Sequence, residues 1–498
     1  FAALNNLETF MAYSCMTSAS EYLSVSFYLT DISGASYQPS EIVLQCKKVF
    51  KNIVAYDRFD FDAKKESMYA LRPAFDAVAE MLGRGEKVPE SLLEVFSKIT
   101  EYSAKMDSLK NARDKVPFKI NESQNAERLF GGNLSISASQ LEKFNLCRFS
   151  YFCNYGLNVR ERLKAEINPM QYGTIVHYIL ERFFREYSKE QYSVMDKDEL
   201  SKIFSTYISE YAAAHFGEVQ TKQNSFMYRI KLILENVLRL VKHTIDELTQ
   251  SEFFVTDCEL KIGEDVPSYT VVLPDGHKIA VCGSVDRVDI MQKNGTTYLR
   301  VIDYKTGSKE FKLSDVLYGI NLQMLLYLHS IEVSGSDRYG DIIPAGILYM
   351  PATVPYISSD SLKSIDKLPD ELNKKLKMNG LLLKDTEIIH GMDKTDAATY
   401  IPVKIKAGEP VSSTSLATLE EFGKIFQKVD MLIAEMGKNI YNGNIEARPL
   451  KGGHDSCEYC PYDSVCAYRR SNPINCFSVD NKTVIEEITN EINGKEEE

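Results

Sequence analysis

Hydrophobic and polar positions along the chain change period several times, and each change marks an element. An apolar-periodic segment runs from Leu7 to Met16, and the alternation Tyr22-Leu23-Ser24-Val25-Ser26-Phe27-Tyr28-Leu29 predicts a strand. Ser40 is placed to cap a helix opening at Glu41. Residues 70–117 read as a polar helical spacer, broken at Gly83-Arg84-Gly85 and Val88-Pro89. After Gly131-Gly132 the texture changes: Ser137 caps a short helix, Ser139 to Phe144, that leads into the aromatic and basic run Cys147 to Tyr155. Amphipathic helices fit 170–188, 197–216 and 224–249. The period then switches to two, with strands over 252–262, 268–273, 278–292 and 297–304, separated by the hairpin signals Asp275-Gly276 and Asn294-Gly295. A helix over 315–333, a buried strand from Ala345 to Met350 and a helix over 418–437 complete the pattern. No internal repeat is visible, and the order predicts one mixed α/β core with a helical layer around it.

Composition sharpens this reading. A chain of 498 residues allows two to four ordinary domains, and a 44% apolar share excludes wholesale disorder. The net charge is −12, and the seven acids of Asp480 to Glu498 predict a solvated acidic tail. This balance argues against bulk coating of nucleic acid, while leaving room for a locally basic groove; Arg148, Arg160, Arg162 and Lys164 are candidates for it, or for an ordinary solvated face. No run approaches the roughly 18 apolar residues that cross a bilayer, and no basic region leads an apolar one at the start, so a soluble cytoplasmic protein without membrane partners is expected. The chain begins at Phe1 instead of Met, as a fragment would. Ten cysteines without a secretory signal point to metal instead of a disulfide scaffold.

The most informative stretch is Gly283-Ser284-Val285-Asp286-Arg287-Val288-Asp289, followed after the turn by Val301-Ile302-Asp303-Tyr304-Lys305-Thr306-Gly307. A two-residue turn at Asn294-Gly295 sets Asp286 opposite Asp303 and Ser284 opposite Lys305, with Asp286, Asp303 and Lys305 on one face. Opposed carboxylates repel unless a cation lies between them, and magnesium suits an all-oxygen site of one or two carboxylates with substrate phosphate. Lys305 is then placed to orient an attacking water or to neutralise charge developing on phosphorus. The competing reading is a solvated ion-pair network on an exposed sheet face. His177 and Glu181 share a helix face, and either could complete a metal shell, although a histidine so placed can also be an ordinary core residue. Gln323 and Tyr327 share a face just after the Lys305 strand.

Taken together, His177, Gly283 to Asp286, Asp303-Tyr304-Lys305 and Gln323 to Tyr327 resemble, in order and spacing, the RecB-like branch of the PD-(D/E)xK nucleases. The resemblance implies a restriction-endonuclease-like α/β fold, a mixed sheet flanked by helices. It implies that His177, Asp286 and Asp303 bind Mg2+ with help from the Tyr304 carbonyl, that Lys305 is the catalytic lysine, and that Gln323 and Tyr327 line the site. The implied reaction is hydrolysis of DNA phosphodiesters.

Cys457, Cys460 and Cys466 form a C-x2-C-x5-C cluster that needs one more ligand to close a zinc or iron-sulfur site, with Cys147, Cys153, His454 and Cys476 as candidates. The sequence before Cys147 resembles the AddB-type subunits of bacterial AddAB helicase-nucleases, which implies a 4Fe-4S cluster held by Cys147, Cys457, Cys460 and Cys466. Arg148 stands where that family usually has Pro, and Cys153 and Cys476 are extra. Met11 to Leu23 is similar to the last motif of superfamily-one helicases, with Ser18 in place of its arginine, and no phosphate-binding G-x-x-x-x-G-K-[ST] loop occurs, so ATP hydrolysis by this chain alone is not expected. The implied layout is a degenerate helicase-like end with a helical spacer over 1–130, a nuclease domain with its cysteine staple over 131–478, and the tail over 479–498. The implied activity is exonucleolytic cutting of one DNA strand during double-strand-break resection, alongside an AddA-type helicase-nuclease subunit. The competing class is a non-catalytic DNA-binding scaffold with a structural zinc or iron-sulfur site.

Overall fold

The computed structural model describes residues 2–30, 36–53, 68–83, 86–113, 119–120, 122–160, 169–215, 224–305, 307, 310–353, 372, 374–395, 398–412, 414–466, 468 and 473–496. The chain divides into two compact units, Phe1–Val116 and Pro117–Glu498. The division falls ahead of residue 131, because the helix Ser123–Phe130 belongs with the second unit, where Tyr441 Oη donates to the Gly131 carbonyl. Among the described residues no helix is long and apolar enough to cross a membrane.

The first unit is helical. Its small core gathers Phe75, Val78, Phe96, Tyr102 and Met106 from the helices Leu71–Gly83, Glu90–Lys98 and Thr100–Arg113. The strand expected over Tyr22–Leu29 is not formed. Those residues have no regular secondary structure and are exposed, and alternation becomes a strand only where a neighbouring strand and a core take up its two sides.

In the second unit the strands are β1 (Leu134–Ile136), β2 (Phe254–Ile262), β3 (Thr270–Val272), β4 (Lys278–Val281), β5 (Gly283–Lys293), β6 (Thr296–Lys305), β7 (Ile342–Pro351), β8 (Asn379–Leu383), β9 (Lys404–Lys406), β10 (Glu409–Val411), β11 (Leu416–Ala417), β12 (Leu450–Gly452) and β13 (Ile474–Cys476). Six of them make the central sheet in the order β11-β8-β7-β6-β5-β2. The β5–β6 hairpin is antiparallel and β6–β7 is parallel, the crossover carrying the helix Gln323–Ser334. This is the mixed α/β sheet flanked by helices that the pattern predicts. β6 and β7 are buried almost end to end, as strands covered on both faces must be.

The turn that sets the hairpin register forms as expected. Asn294 and Gly295 both have positive φ, 52° and 84°, the requirement of a two-residue type I′ turn. The register then runs from Lys293–Thr296 to Arg287–Ile302. Two expected elements are broken. The run 278–292 is split at Cys282, whose N–H goes to the Ile136 carbonyl, so that β4 joins a small sheet with β1 and β3 while β5 enters the central one. The helix over 315–333 is a 3-10 turn, Leu313–Tyr318, and a separate α-helix, parted at Gly319, which takes a left-handed φ of 72°.

Alternation along the hairpin sends Arg287, Asp289 and Arg300 to the face covered by the helix Asn224–Gln250. There Glu247 binds both arginines, at 3.3 Å to Arg287 and 2.6 Å to Arg300, and Asp289 lies 2.9 Å from each; all four side chains are fully buried. Two positive and two negative charges offset one another, which is the condition for burying them at all, although Arg287 Nε, Arg300 Nη1 and Asp289 Oδ1 have no hydrogen-bond partner among the described residues. The acidic tail is corrected too. Asn481–Glu496 is a helix whose Val484 and Ile488 are fully buried in the core, and Glu491 pairs with Lys428 of the helix Leu419–Tyr441. Glu486, Glu487 and Glu491 are exposed on the outer side of this helix.

Candidate active site

Backbone pairing of β5 with β6 stops at Arg287–Ile302, one residue short of the two acids. Asp286 and Asp303 are therefore not ladder partners. Both follow the alternation onto the face away from Arg287, and the missing ladder bond is replaced by the Tyr304 N–H donating to Asp286 Oδ2 at 2.9 Å. Ser284 and Lys305 likewise part, Ser284 pairing with Lys261 on β2 and Lys305 with Pro351 on β7.

Lys305 Nζ lies 2.7 Å from Asp303 Oδ2 and 3.3 Å from Gln323 Oε1, while Gln323 Nε2 donates to Asp303 Oδ1 at 3.1 Å. Gln323 thus bridges acid and lysine from the first turn of its helix. One turn on, Tyr327 packs against the backbone of Gly283, where a β-carbon would come within 2.5 Å of its hydroxyl. Only glycine admits the tyrosine. Burial, then the charges of Asp286 and Asp303, push the Tyr327 hydroxyl well above its ordinary range.

His177, on the helix Pro169–Glu186, places Nε2 3.1 Å from the Tyr304 carbonyl oxygen and Nδ1 3.4 Å from Asp286 Oδ2. Asp286 is pushed up to about 7, chiefly by burial and next by the charge of Asp303. Burial works against a charged His177, but its contacts with Glu259, Asp286 and the Tyr304 carbonyl outweigh it and hold the ring up at about 9. Glu181 does not join this group; it is drawn off by Arg185 Nη1 at 2.9 Å.

One residue of the site lies outside the sequence-based expectation. Glu259 on β2 lies 3.7 Å from His177 Nδ1, accepts from Ser284 Oγ at 2.7 Å, and with His177 and Asp286 offers three ligand atoms within 4.8 Å of one another. It sits at φ 50°, a left-handed conformation that a non-glycine residue adopts only when its surroundings hold it there. The alternation of β2 alone does not encode that twist. A signal was nonetheless present in the pairing of β2 with β5, whose register brings Cys258 to Arg287 and Leu260 to Val285 and so sets Glu259 beside Asp286.

The donor set suits a hard divalent cation. The buried carboxylate of Asp303, the largely buried one of Asp286, an imidazole and a backbone carbonyl converge, and Asp303 Oδ2 is buried without a well-directed hydrogen bond.

The cysteines gather elsewhere in the same unit. Cys147, Cys153, Cys460 and Cys466 pack in one cluster with Phe149 and Tyr462, and Cys457 sits at the start of the turn closed by the Cys460 N–H. Cys476 is instead buried beside Ile320 and Leu450, and His454 is paired with Asp315 at 3.2 Å. Two candidates for the remaining ligand are thus left, Cys147 and Cys153. Burial raises both thiols, Cys153 to about 11, but only Cys147 is partly offset by nearby backbone N–H groups, those of Ser150 and Phe149 in the short helix that follows it. Of the proposed basic track, Arg148 is paired with Glu435 at 3.2 Å, Arg160 is exposed, and Arg162 and Lys164 lie outside the described residues.

Comparison with known proteins decides the lineage. Residues 135–467 match the model of the PD-(D/E)XK nuclease superfamily. The chain belongs to this superfamily. The match takes in the hairpin, His177, Gln323 and the four clustered cysteines, and the mixed sheet of this PD-(D/E)XK domain carries Asp303 and Lys305 on one strand. The chain is also similar to proteins named as a subunit of an ATP-dependent helicase/deoxyribonuclease, the AddB type. It is 31% identical to that of Clostridium acetobutylicum over 93% of the chain and 42% of the relative. For Thermoanaerobacter sp. the values are 30%, 97% and 44%, and for Clostridium botulinum strain Loch Maree 32%, 93% and 42%. The chain therefore spans less than half the length of these curated relatives.

Proposed function

We propose that the second unit is the nuclease domain of a helicase-nuclease subunit, hydrolysing the phosphodiesters of one DNA strand during resection of double-strand breaks. The observation that carries this reading is the cluster of Asp286, Asp303, Lys305 and Gln323 at the end of the hairpin where backbone pairing stops. His177, Asp286, Asp303 and the Tyr304 carbonyl would hold Mg2+. When bound, such an ion supplies positive charge to the phosphate and lowers the pKa of a coordinated water. Lys305, fixed between Asp303 and Gln323, presents a preoriented positive charge to the phosphoryl oxygens as negative charge builds on them. Gln323 keeps that ammonium from swinging away, and Tyr327 walls the site. Glu259 holds the outer nitrogen of His177.

The thiols of Cys147, Cys457, Cys460 and Cys466 would carry a 4Fe-4S cluster, with Cys147 preferred over Cys153 because amide N–H groups favour its thiolate. A cluster there ties residue 147, ahead of the sheet, to residues 457–466 beyond it. The strand reaches the site as an exonuclease substrate, fed by an AddA-type motor partner in the bacterial cytoplasm, and this chain contributes no ATP hydrolysis. The names of the helicase/deoxyribonuclease relatives support the partner and the substrate.

The test is digestion of single-stranded DNA in magnesium by the parent, Asp303→Ala and Lys305→Ala. Loss of cutting in both variants is the expected result, and unchanged cutting overturns the assignment.

A further inference from the structure

Beside Lys305 a groove of about 1050 Å³ opens in the surface of the second unit. Among the described residues its lining holds six lysines, Lys305, Lys374, Lys375, Lys377, Lys404 and Lys406, against one acid, Glu310. In a chain of net charge −12 this is a local reversal of sign, and it adjoins the catalytic lysine proposed above.

The positive charge is mounted on a rigid frame. β9 and β10 pair as a hairpin across Ala407-Gly408, both at positive φ, 52° and 85°, as a tight two-residue turn requires. Alternation then sends Ile405 toward the core and Lys404 and Lys406 together to the other side, where both are exposed. Glu409, the cross-strand neighbour of Lys406, is engaged by Thr386 Oγ1 at 2.6 Å. Lys377 donates to the Val403 carbonyl at 2.9 Å and ties the 374–379 segment to this hairpin.

A second observation lies at the inner end. Tyr349, the β7 partner of Asp303, lines the groove with its ring 5.6 Å from Lys305 Nζ. It is only 2% exposed, yet its hydroxyl is buried without a hydrogen-bond partner among the described residues. Buried hydroxyls normally have one.

We infer that this groove is the path of single-stranded DNA into the nuclease site, with Lys374, Lys404 and Lys406 on successive backbone phosphates and the Tyr349 hydroxyl donating to the phosphate next to Lys305. The inference rests on the nuclease reading and adds the route to it.

The test is equilibrium binding of a fluorescein-labelled oligo-dT 20-mer by the full chain, in EDTA, from 50 to 300 mM NaCl. For single strands each phosphate contact contributes about 0.7 to the slope of log K against log salt. Lys404→Ala/Lys406→Ala should lower the slope by about 1.4 and weaken binding about 25-fold at 0.1 M salt. Tyr349→Phe, which keeps the ring, should weaken it about tenfold, the value of one hydrogen bond to a charged acceptor. Lys197→Ala/Lys202→Ala, the same charge removed from an exposed helix elsewhere, should leave slope and affinity as in the parent. Absence of oligonucleotide binding by the parent, or equal slopes for the two lysine pairs, overturns the inference. Adding magnesium separates the two readings. A parent that cuts while the lysine pairs behave alike refutes the groove alone, and a parent that binds through the groove without cutting refutes the catalytic reading alone.

Discussion

Replacing Asp286 by Asn tests whether this acid is held in the fold for the sake of a cation. The carboxyl is 11% exposed, shares its face with Asp303, and is pushed up to about 7 from 3.8. The folded chain binds this proton more tightly than the unfolded one. The resulting penalty on the metal-free fold is absent below about pH 4, grows as pH rises, and is complete above about 7. A gap of about three units is worth about 4 kcal/mol at full ionisation. Asn relieves that penalty and can still accept from the Tyr304 N–H, but it takes a charged partner from His177, so about 2 kcal/mol of net gain is expected. The assay is urea denaturation in EDTA at pH 8 and pH 5, repeated in 10 mM MgCl2. Asp286→Asn should be more stable than the parent in EDTA at pH 8, with a smaller margin at pH 5, and should gain less from magnesium. A variant less stable than the parent in EDTA at pH 8, or one equally stabilised by magnesium, would refute the reasoning.

Other consequences can be checked in the same preparations. His177, held up at about 9, contributes stability that is fully present below its unfolded value of 6.5 and is lost as pH rises through 9; together with Asp286 this makes the metal-free fold weaken with pH, so the rise in melting temperature on adding magnesium should be larger at pH 8.5 than at pH 6. Glu247→Gln leaves Arg287 and Arg300 short of a buried counter-charge and should cost about 3–5 kcal/mol in urea denaturation, whereas exposed Glu94→Gln, which breaks only a surface pair with Lys98, should cost under about 1 kcal/mol. The purified protein should be brown with absorbance near 400 nm; Cys147→Ser should lose that colour and its iron and Cys153→Ser should keep both, while colourless protein with stoichiometric zinc would overturn the cluster assignment.

Legibility in the sequence follows a simple physical line. The register of the hairpin is legible because Asn294-Gly295 admits one turn geometry, and a period of two then assigns every side chain to a face. Lys305, Asp303 and Gln323 are legible because strand and helix periods place them locally. Contacts made between distant segments are not. Glu259 reaches His177 only through a left-handed residue in another strand, and Val484 and Ile488 convert an acidic tail into a docked helix because two apolar positions outweigh the exposed charges around them. The Tyr22–Leu29 pattern fails in the opposite sense, since alternation states a preference that only a covering surface can realise.

The hairpin also explains why the acids can be held so close. The alternation that turns Asp286 and Asp303 toward the site turns Arg287, Asp289 and Arg300 toward Glu247, and Arg287 Nη1 reaches the hydroxyl of Tyr304 at 3.1 Å. Tyr304 is therefore gripped from both sides, its ring end by the buried arginine and its backbone by Asp286 and His177. Repulsion between two acids would be relieved most easily by letting β5 and β6 slide or part. A fully buried network of four charges on the far face opposes that motion, because any slip would leave an arginine unpaired away from water. The far side of the same two strands thus holds Asp286 and Asp303 on one face of the hairpin against the repulsion between them.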